Sequence, residues 1–172
     1  MSTYAVTVVG QDRPGIVAYV AGAIAQLGGN LEDSSMTLLR GHFAMTLVAA
    51  IPGTDPAALE LLLHPLRADG LAVSVFALPP QETSEGAALA ALLSVHGADR
   101  PGIVASATEV IASFNGNITD LSTRLGKDLY VLTADVVFPP TTDLTTVNDA
   151  LTQLRSDLGV SASVRPPDLD VL

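Results

Sequence analysis

The chain has 172 residues, 48% of them hydrophobic, which suffices for one ordinary domain or two small ones with packed cores. Eight Lys+Arg against eighteen Asp+Glu leave a formal net charge of −10, so a polyanion is repelled unless the basic groups gather on one face, and direct binding of nucleic acid is not expected. Zero cysteines exclude disulfides, thiolate metal sites and a Cys nucleophile, and 4% aromatics with no Trp leave few stacking platforms for bases or sugars. No apolar run reaches the roughly 20 residues of a membrane span. The polar start Met1-Ser2-Thr3 lacks a secretion-signal pattern, so the expected location is the cytoplasm.

In chain order, Tyr4 to Val9 is β-rich and reads as a buried first strand. After the turn Asp12-Arg13-Pro14-Gly15, the residues Val17, Val20, Ile24 and Leu27 recur at steps of three and four. That spacing predicts an amphipathic helix started at Pro14 and stopped at Gly28-Gly29. Leu31 to Leu39 and Phe43 to Ile51 are extended runs about the turn Arg40-Gly41-His42, a predicted hairpin. By period two its second strand turns Phe43, Met45, Leu47, Ala49 and Ile51 to one face, and Pro52 ends it. A less regular helix, Leu59 to Leu66, contains Pro65, which is expected to kink or shorten it. A last strand runs through Leu71, Val73 and Val75.

The whole order then recurs. Asp12-Arg13-Pro14-Gly15-Ile16-Val17-Ala18 is identical to Asp99-Arg100-Pro101-Gly102-Ile103-Val104-Ala105, 87 residues further on. The same offset pairs Ile24 with Ile111, Gly29-Asn30 with Gly116-Asn117, Asp33 with Asp120, Thr46 with Thr133 and Pro52 with Pro139. The second copy offers a strand at Leu89 to Val95 and a helix stripe at Ile103, Ala107, Val110 and Phe114, stopped at Asn115-Gly116. Extended runs Ile118 to Leu125 and Leu129 to Phe138 flank Gly126-Lys127-Asp128, with Tyr130, Leu132, Ala134, Val136 and Phe138 on one face. A second helix with stripe Leu144, Val147, Leu151 and Leu154 is started by Asp143, and the last strand holds Val160, Ala162 and Val164. A long period present twice indicates two domains, 1–78 and 88–166, joined by a polar, breaker-rich linker 79–87 and followed by a tail 167–172. The fold class is α+β: two ferredoxin-like βαββαβ domains, each a four-stranded antiparallel sheet with two helices on one face. Copies this small leave sheet edges and one sheet face exposed, so packing of the two copies, or pairing of whole chains into a homodimer, is expected.

The Asp-Arg-Pro-Gly element sits where a strand hands over to a helix, so free backbone N–H groups point into the loop and can hold an anion. Gly10, Gly15, Gly97 and Gly102 remove side-chain bulk there, and Asp12 and Asp99 supply the opposite sign. A carboxylate-binding helix end beside a fixed carboxylate suits a zwitterion such as a free amino acid, and Asn30 or Asn117 at the next helix stop adds a donor and an acceptor. Another reading stands beside this one: Asp before Pro-Gly can cap the helix, and Gly-Asn can stop it, with no ligand at all. Arg13 and Arg100 are read as surface or loop-bracing groups. Catalysis has little support, because His42, His64 and His96 lack metal-ligand spacing and no nucleophile or dinucleotide motif occurs. No metal and no cofactor is expected. A small enzyme using His96 with Asp99 is the weakest alternative.

On Gly10-Gln11-Asp12-Arg13-Pro14-Gly15-Ile16-Val17 with Gly29-Asn30, and Gly97-Ala98-Asp99-Arg100-Pro101-Gly102-Ile103-Val104 with Gly116-Asn117, the chain resembles the ACT domain family along almost its entire length. With two copies it is similar to the glycine cleavage system transcriptional repressor group. The resemblance implies a non-catalytic module that binds an amino-acid effector at the interface of two ACT domains and acts through a protein partner. It also implies an effector site at Gly10, Asp12, Gly15, Ile16 and Asn30, with Gly97, Asp99, Gly102, Ile103 and Asn117. The alternative it implies is a detached regulatory subunit of a metabolic enzyme resembling phosphoserine phosphatase or formyltetrahydrofolate deformylase, both of which carry such modules beside a catalytic domain. Asp120-Leu121 departs from the Asp33-Ser34 pattern, so equal occupancy of the two sites is not implied.

Overall fold

A computed structural model describes residues 2–53, 55–80, 87–126 and 129–167, and the chain divides into two compact units, Met1–Thr83 and Ser84–Leu172. The first unit runs β1 (Ser2–Gln11), α1 (Ile16–Gln26), β2 (Asn30–Leu39), β3 (His42–Ile51), α2 (Pro56–Ala68) and β4 (Ala72–Leu78). The second repeats this as β5 (Leu89–Gly97), α3 (Ile103–Ser113), β6 (Asn117–Leu125), β7 (Tyr130–Phe138), α4 (Leu144–Leu158) and β8 (Val160–Arg165). Both sheets are antiparallel, in the orders β2-β3-β1-β4 and β6-β7-β5-β8, which is the ferredoxin-like α+β arrangement. The expected linker and tail fall mostly on residues 81–86 and 168–172, outside the described residues.

Strict alternation puts Phe43, Met45, Leu47, Ala49 and Ile51 of β3, and Tyr4, Val6 and Val8 of β1, on one buried face. Against that face α1 packs Ile16, Val20, Ala23 and Ile24, and α2 packs Leu59, Leu63 and Leu66. The second core has the same layout, with Ile103, Ala107 and Ile111 from α3 and Val147, Leu151 and Leu154 from α4. In β7 the residues Leu132, Ala134, Val136 and Phe138 are buried and Tyr130 is half-buried.

The stripe of α1 begins at Ile16 rather than Val17, which is 42% exposed. Gly15 at φ 94 breaks helical geometry, so Pro14 stays in the turn and the helix takes its phase from Ile16. Pro65 does not shorten α2, which continues to Ala68. The proline lies near the helix end, and the residue four before it, Leu61, is on the solvent side at 74% exposure, so the missing hydrogen bond is to a carbonyl beside water. The hairpin between β2 and β3 uses a two-residue loop, Arg40 (φ 50) and Gly41 (φ 84), with His42 already in β3. The matching turn at Lys127-Asp128 lies outside the described residues.

One edge of each sheet is occupied by a helix side chain. Arg67 Nε donates to Val73 O at 3.1 Å. Asn148 donates through Nδ2 to Val164 O and to Leu144 O and accepts from Val164 N–H through Oδ1, at 2.8, 2.9 and 2.8 Å. Both backbone groups of Val164 that face away from β5 are thereby satisfied. Asn148→Ala removes these partners from a part-buried site and should cost on the order of 1–3 kcal/mol, read by urea unfolding, with β8 amides losing exchange protection first. Asp143 caps α4 by accepting from Thr145 N–H at 2.8 Å, which holds its carboxyl below the ordinary carboxylate value. A lowered folded pKa stabilises above the unfolded value and is lost as pH falls through the folded one. The difference in melting temperature between wild type and Asp143→Ala should therefore be constant from neutral pH to about 5 and close below about 4.

Candidate functional site

The first strand of each unit ends at the Asp-Arg-Pro-Gly turn, and its last glycine is fixed by packing. A Cβ on Gly10 would stand 2.7 Å from Leu71 Cδ2, and one on Gly97 would stand 2.9 Å from Val160 Cγ1 and 3.0 Å from Val160 Cα. The absent side chains make room for the start of β4 and β8. Packing alone therefore calls for glycine at both positions, apart from the part in an effector site that the resemblance implies for Gly10 and Gly97.

Gly15 and Gly102 play a different part. They occupy the N-cap positions of α1 and α3 at φ 94 and φ 95, a left-handed conformation open to glycine, and a Cβ there would meet nothing within 4 Å. Neither helix start receives a side-chain cap. The first intrahelical bonds are Tyr19 N–H to Gly15 O and Ser106 N–H to Gly102 O, both 2.9 Å, so the amides of Ile16, Val17 and Ala18, and of Ile103, Val104 and Ala105, precede the ladder. The side chains of Ile16 and Ile103 point into the cores. Asp12 and Asp99 are exposed, and their carboxylates make no hydrogen bond or ion pair among the described residues. The capping role open to them in the sequence is not used.

Asn30 and Asn117 do not stop the helices either. The left-handed residues that close α1 and α3 are Gly28 (φ 67) and Asn115 (φ 56), followed by Gly29 N–H to Ile24 O and Gly116 N–H to Ile111 O, each 3.0 Å. Gly29 and Gly116 then pass so close to the cores that a Cβ would lie 2.8 Å from Ile51 Cγ1 and 2.5 Å from Phe138 Cε1. Asn30 and Asn117 are the exposed first residues of β2 and β6, just before a register shift that both sheets share, Leu31/Asp33 and Ile118/Asp120.

Strand register separates the expected site residues into two groups. Gly10, Asp12, Gly15 and Ile16 are neighbours in one loop, beside the β2–β3 turn, where Asp12 N–H donates to Gly41 O at 3.4 Å. Asn30 pairs with Ala50, which pairs with Thr3, while Gln11 pairs with His42. From Thr3 to Gln11 the strand covers about 26 Å, so Asn30 and the loop lie at opposite ends of the same sheet. Asn117 is likewise aligned with Ala90 through Val137, at the far end of β5 from Gly97. An amino acid cannot bridge that distance within one copy. Residues not foreseen at the loop are Leu71, Gly41 and Asp69, the last ion-paired to Arg13 Nη2. These neighbours follow from strand pairing, for which no local motif exists.

Other chemistry is sparse. His96 is exposed on β5, with buried Val95 before it, and makes no hydrogen bond to Asp99 among the described residues. His42 and His64 are exposed, and no group of three His, Cys, Asp or Glu that could hold a metal occurs among the described residues. A groove of about 310 Å³ lies between α1 and α2 on Ala18, Tyr19, Gly22, Ala23, Gln26 and Leu62, with no charged side chain among these residues. No helix among the described residues is long and apolar enough to cross a membrane.

A family model of the ACT domain matches residues 2–75 and again 90–165. Among relatives, a UPF0237 protein of Methanopyrus kandleri is 44% identical over 55 residues, 32% of this chain and 61% of that protein. One from Streptococcus pneumoniae is 51% identical over 45 residues, 26% of this chain and 51% of that protein. The chain thus spans about half to three fifths of the length of these relatives. Another, from Methanococcus maripaludis, is 35% identical over 75 residues, 43% of this chain and 83% of that protein. Among solved structures, an unknown protein from Galdieria sulphuraria superposes with a TM-score of 0.80 at 27% identity, covering 96% of this chain and 98% of that one. A protein proposed to be a glycine cleavage system transcriptional repressor gives 0.69 at 20% identity over 95% and 96%, which shows a shared fold.

The three kinds of glycine separate in a substitution series. Gly97→Ala drives a Cβ into the β8 backbone and Gly15→Ala forces a left-handed alanine; each should destabilise by about 1–3 kcal/mol. Gly22→Ala, in a helix interior with open space around it, should stabilise by about 0.5–1 kcal/mol. Urea unfolding of the three variants checks the ranking.

Proposed function

Since this chain belongs to the ACT domain family, we propose that it is a regulatory, non-catalytic protein whose Asp-Arg-Pro-Gly loops bind a free amino acid. The observation that carries this reading is the unused pair of polar elements at each loop: an uncapped helix start and an exposed carboxylate with no partner among the described residues. Helix-start amides and the helix dipole favour the ligand's carboxylate. The Asp12 or Asp99 carboxylate favours its ammonium, and charge-assisted hydrogen bonds of both signs select a zwitterion over a simple anion. Gly15 and Gly102 keep the approach open, because their missing side chains would project into empty space.

Asn30 and Asn117 stand outside this loop-based reading, since within one copy the register holds them at the far end of the sheet. The effector then acts by differential affinity for two arrangements, and a protein partner reads the one it favours. A net charge of −10 supports a protein rather than a nucleic acid as that partner.

Thermal unfolding with each of the twenty amino acids in turn tests the proposal. A ligand of the folded state at 100 times its Kd stabilises by about 2.7 kcal/mol and raises the midpoint. The double variant Asp12→Asn and Asp99→Asn should lose most of that shift while unfolding at the wild-type temperature without ligand. Twenty unchanged midpoints, or an undiminished shift in the double variant, overturn the reading.

A further inference from the structure

The seven-residue motif is the same in both units, but its arginine is held differently. In the first unit Arg13 Nη2 donates to Asp69 Oδ2, and Asp69 is the residue that closes α2, immediately before Gly70 at φ 86. In the second unit Arg100 reaches the corresponding turn: its Cζ lies 3.7 Å from the position of a Cβ on Gly159, a glycine at φ 67. There α4 closes on Leu158, which offers no acceptor, and Arg100 makes no hydrogen bond or ion pair among the described residues. The replacement of Asp69 by Leu158 lies outside the motif, where the spacing between copies has grown from 87 to 89 residues at Gly70 and Gly159.

We infer that Arg13–Asp69 is a positioning latch that ties the first Asp-Arg-Pro-Gly loop to the end of α2, that the second loop lacks it, and that the two loops therefore bind their effector unequally, the first filling first. This rests on the reading of the loops as effector sites. The first loop is anchored at three points: Gly10 packed on Leu71, Asp12 N–H on Gly41 O, and Arg13 on Asp69. A loop already held in place gives up less conformational freedom when a ligand orders it, so affinity rises without a new contact. The pair is solvent-exposed, with side chains 43% and 56% accessible, which limits its effect to about five-fold and makes it sensitive to salt.

Amide hydrogen exchange on the ligand-free full chain reads the latch directly. In wild type at low salt, amides of Arg13, Gly15 and Ile16 should exchange about two- to five-fold more slowly than those of Arg100, Gly102 and Ile103. Asp69→Asn should erase most of that difference, 1 M NaCl should do the same, and the charge-reversed pair Arg13→Asp with Asp69→Arg should restore it. Leu158→Asp should slow the second loop relative to Leu158→Asn, which loses the same packing without gaining the charge. Equal exchange in wild type and Asp69→Asn, or no recovery in the reversed pair, overturns the latch. The binding order is read by amide shifts of the two loops during titration with the twenty amino acids: first-loop shifts saturating earlier, and losing that lead in Asp69→Asn, support the inference. Simultaneous saturation in wild type overturns it. Absence of any shift removes the effector reading, an outcome separate from the exchange result.

Discussion

The Asp-Arg-Pro-Gly end of each domain depends on one close approach, a glycine near the end of the first strand lying against the residue that leads into or opens the last strand. Gly10 meets Leu71 and Gly97 meets Val160 at distances no Cβ permits. Because the last strand starts there, the turn between the second helix and that strand is brought beside the Asp-Arg-Pro-Gly loop, and the motif arginine in both units reaches it. A matching pair of glycines, Gly29 and Gly116, draws the start of the second strand onto the core at the opposite end. Two close approaches thus set the sheet's ends, and the side chains between them need only satisfy a period of two.

Much of this was legible because it is local. The alternation in β3 and β7 and the cap at Asp143 each depend on residues near one another in sequence, and each is present in the structure. The one-residue displacement of the α1 stripe shows where locality fails: proline in the first turn and a helix phase from Val17 are both compatible with the sequence, and only the left-handed Gly15 decides for Ile16. The packing part of Gly10 is hidden from the sequence for the same reason. A glycine near a loop looks like cleared space until strand pairing shows what fills it.

Register is the part that composition and motif spacing do not encode. Asn30 follows the loop by one helix, which makes the two look adjacent, yet α1 carries the chain from one end of the sheet to the other before β2 begins. Any ferredoxin-like domain has this property, because the first crossover helix runs antiparallel to the strand it follows. The β1–α1 loop and the start of β2 are therefore held apart within each module, although the sequence sets them one helix from each other.

Identity of sequence within the motif does not bring identity of field. Around the first loop Arg13 is ion-paired to Asp69, whereas around the second Arg100 has no such partner among the described residues. With a screening length of about 10 Å at 0.1 M salt, groups this near one another share one local field, to which charges at the far end of the sheet contribute little. The difference arises from a single residue before a helix-closing glycine, aspartate in one copy and leucine in the other, at a place where the spacing between copies has already shifted. A duplicated module can in this way divide its binding properties between its copies while the residues that identify the family stay unchanged.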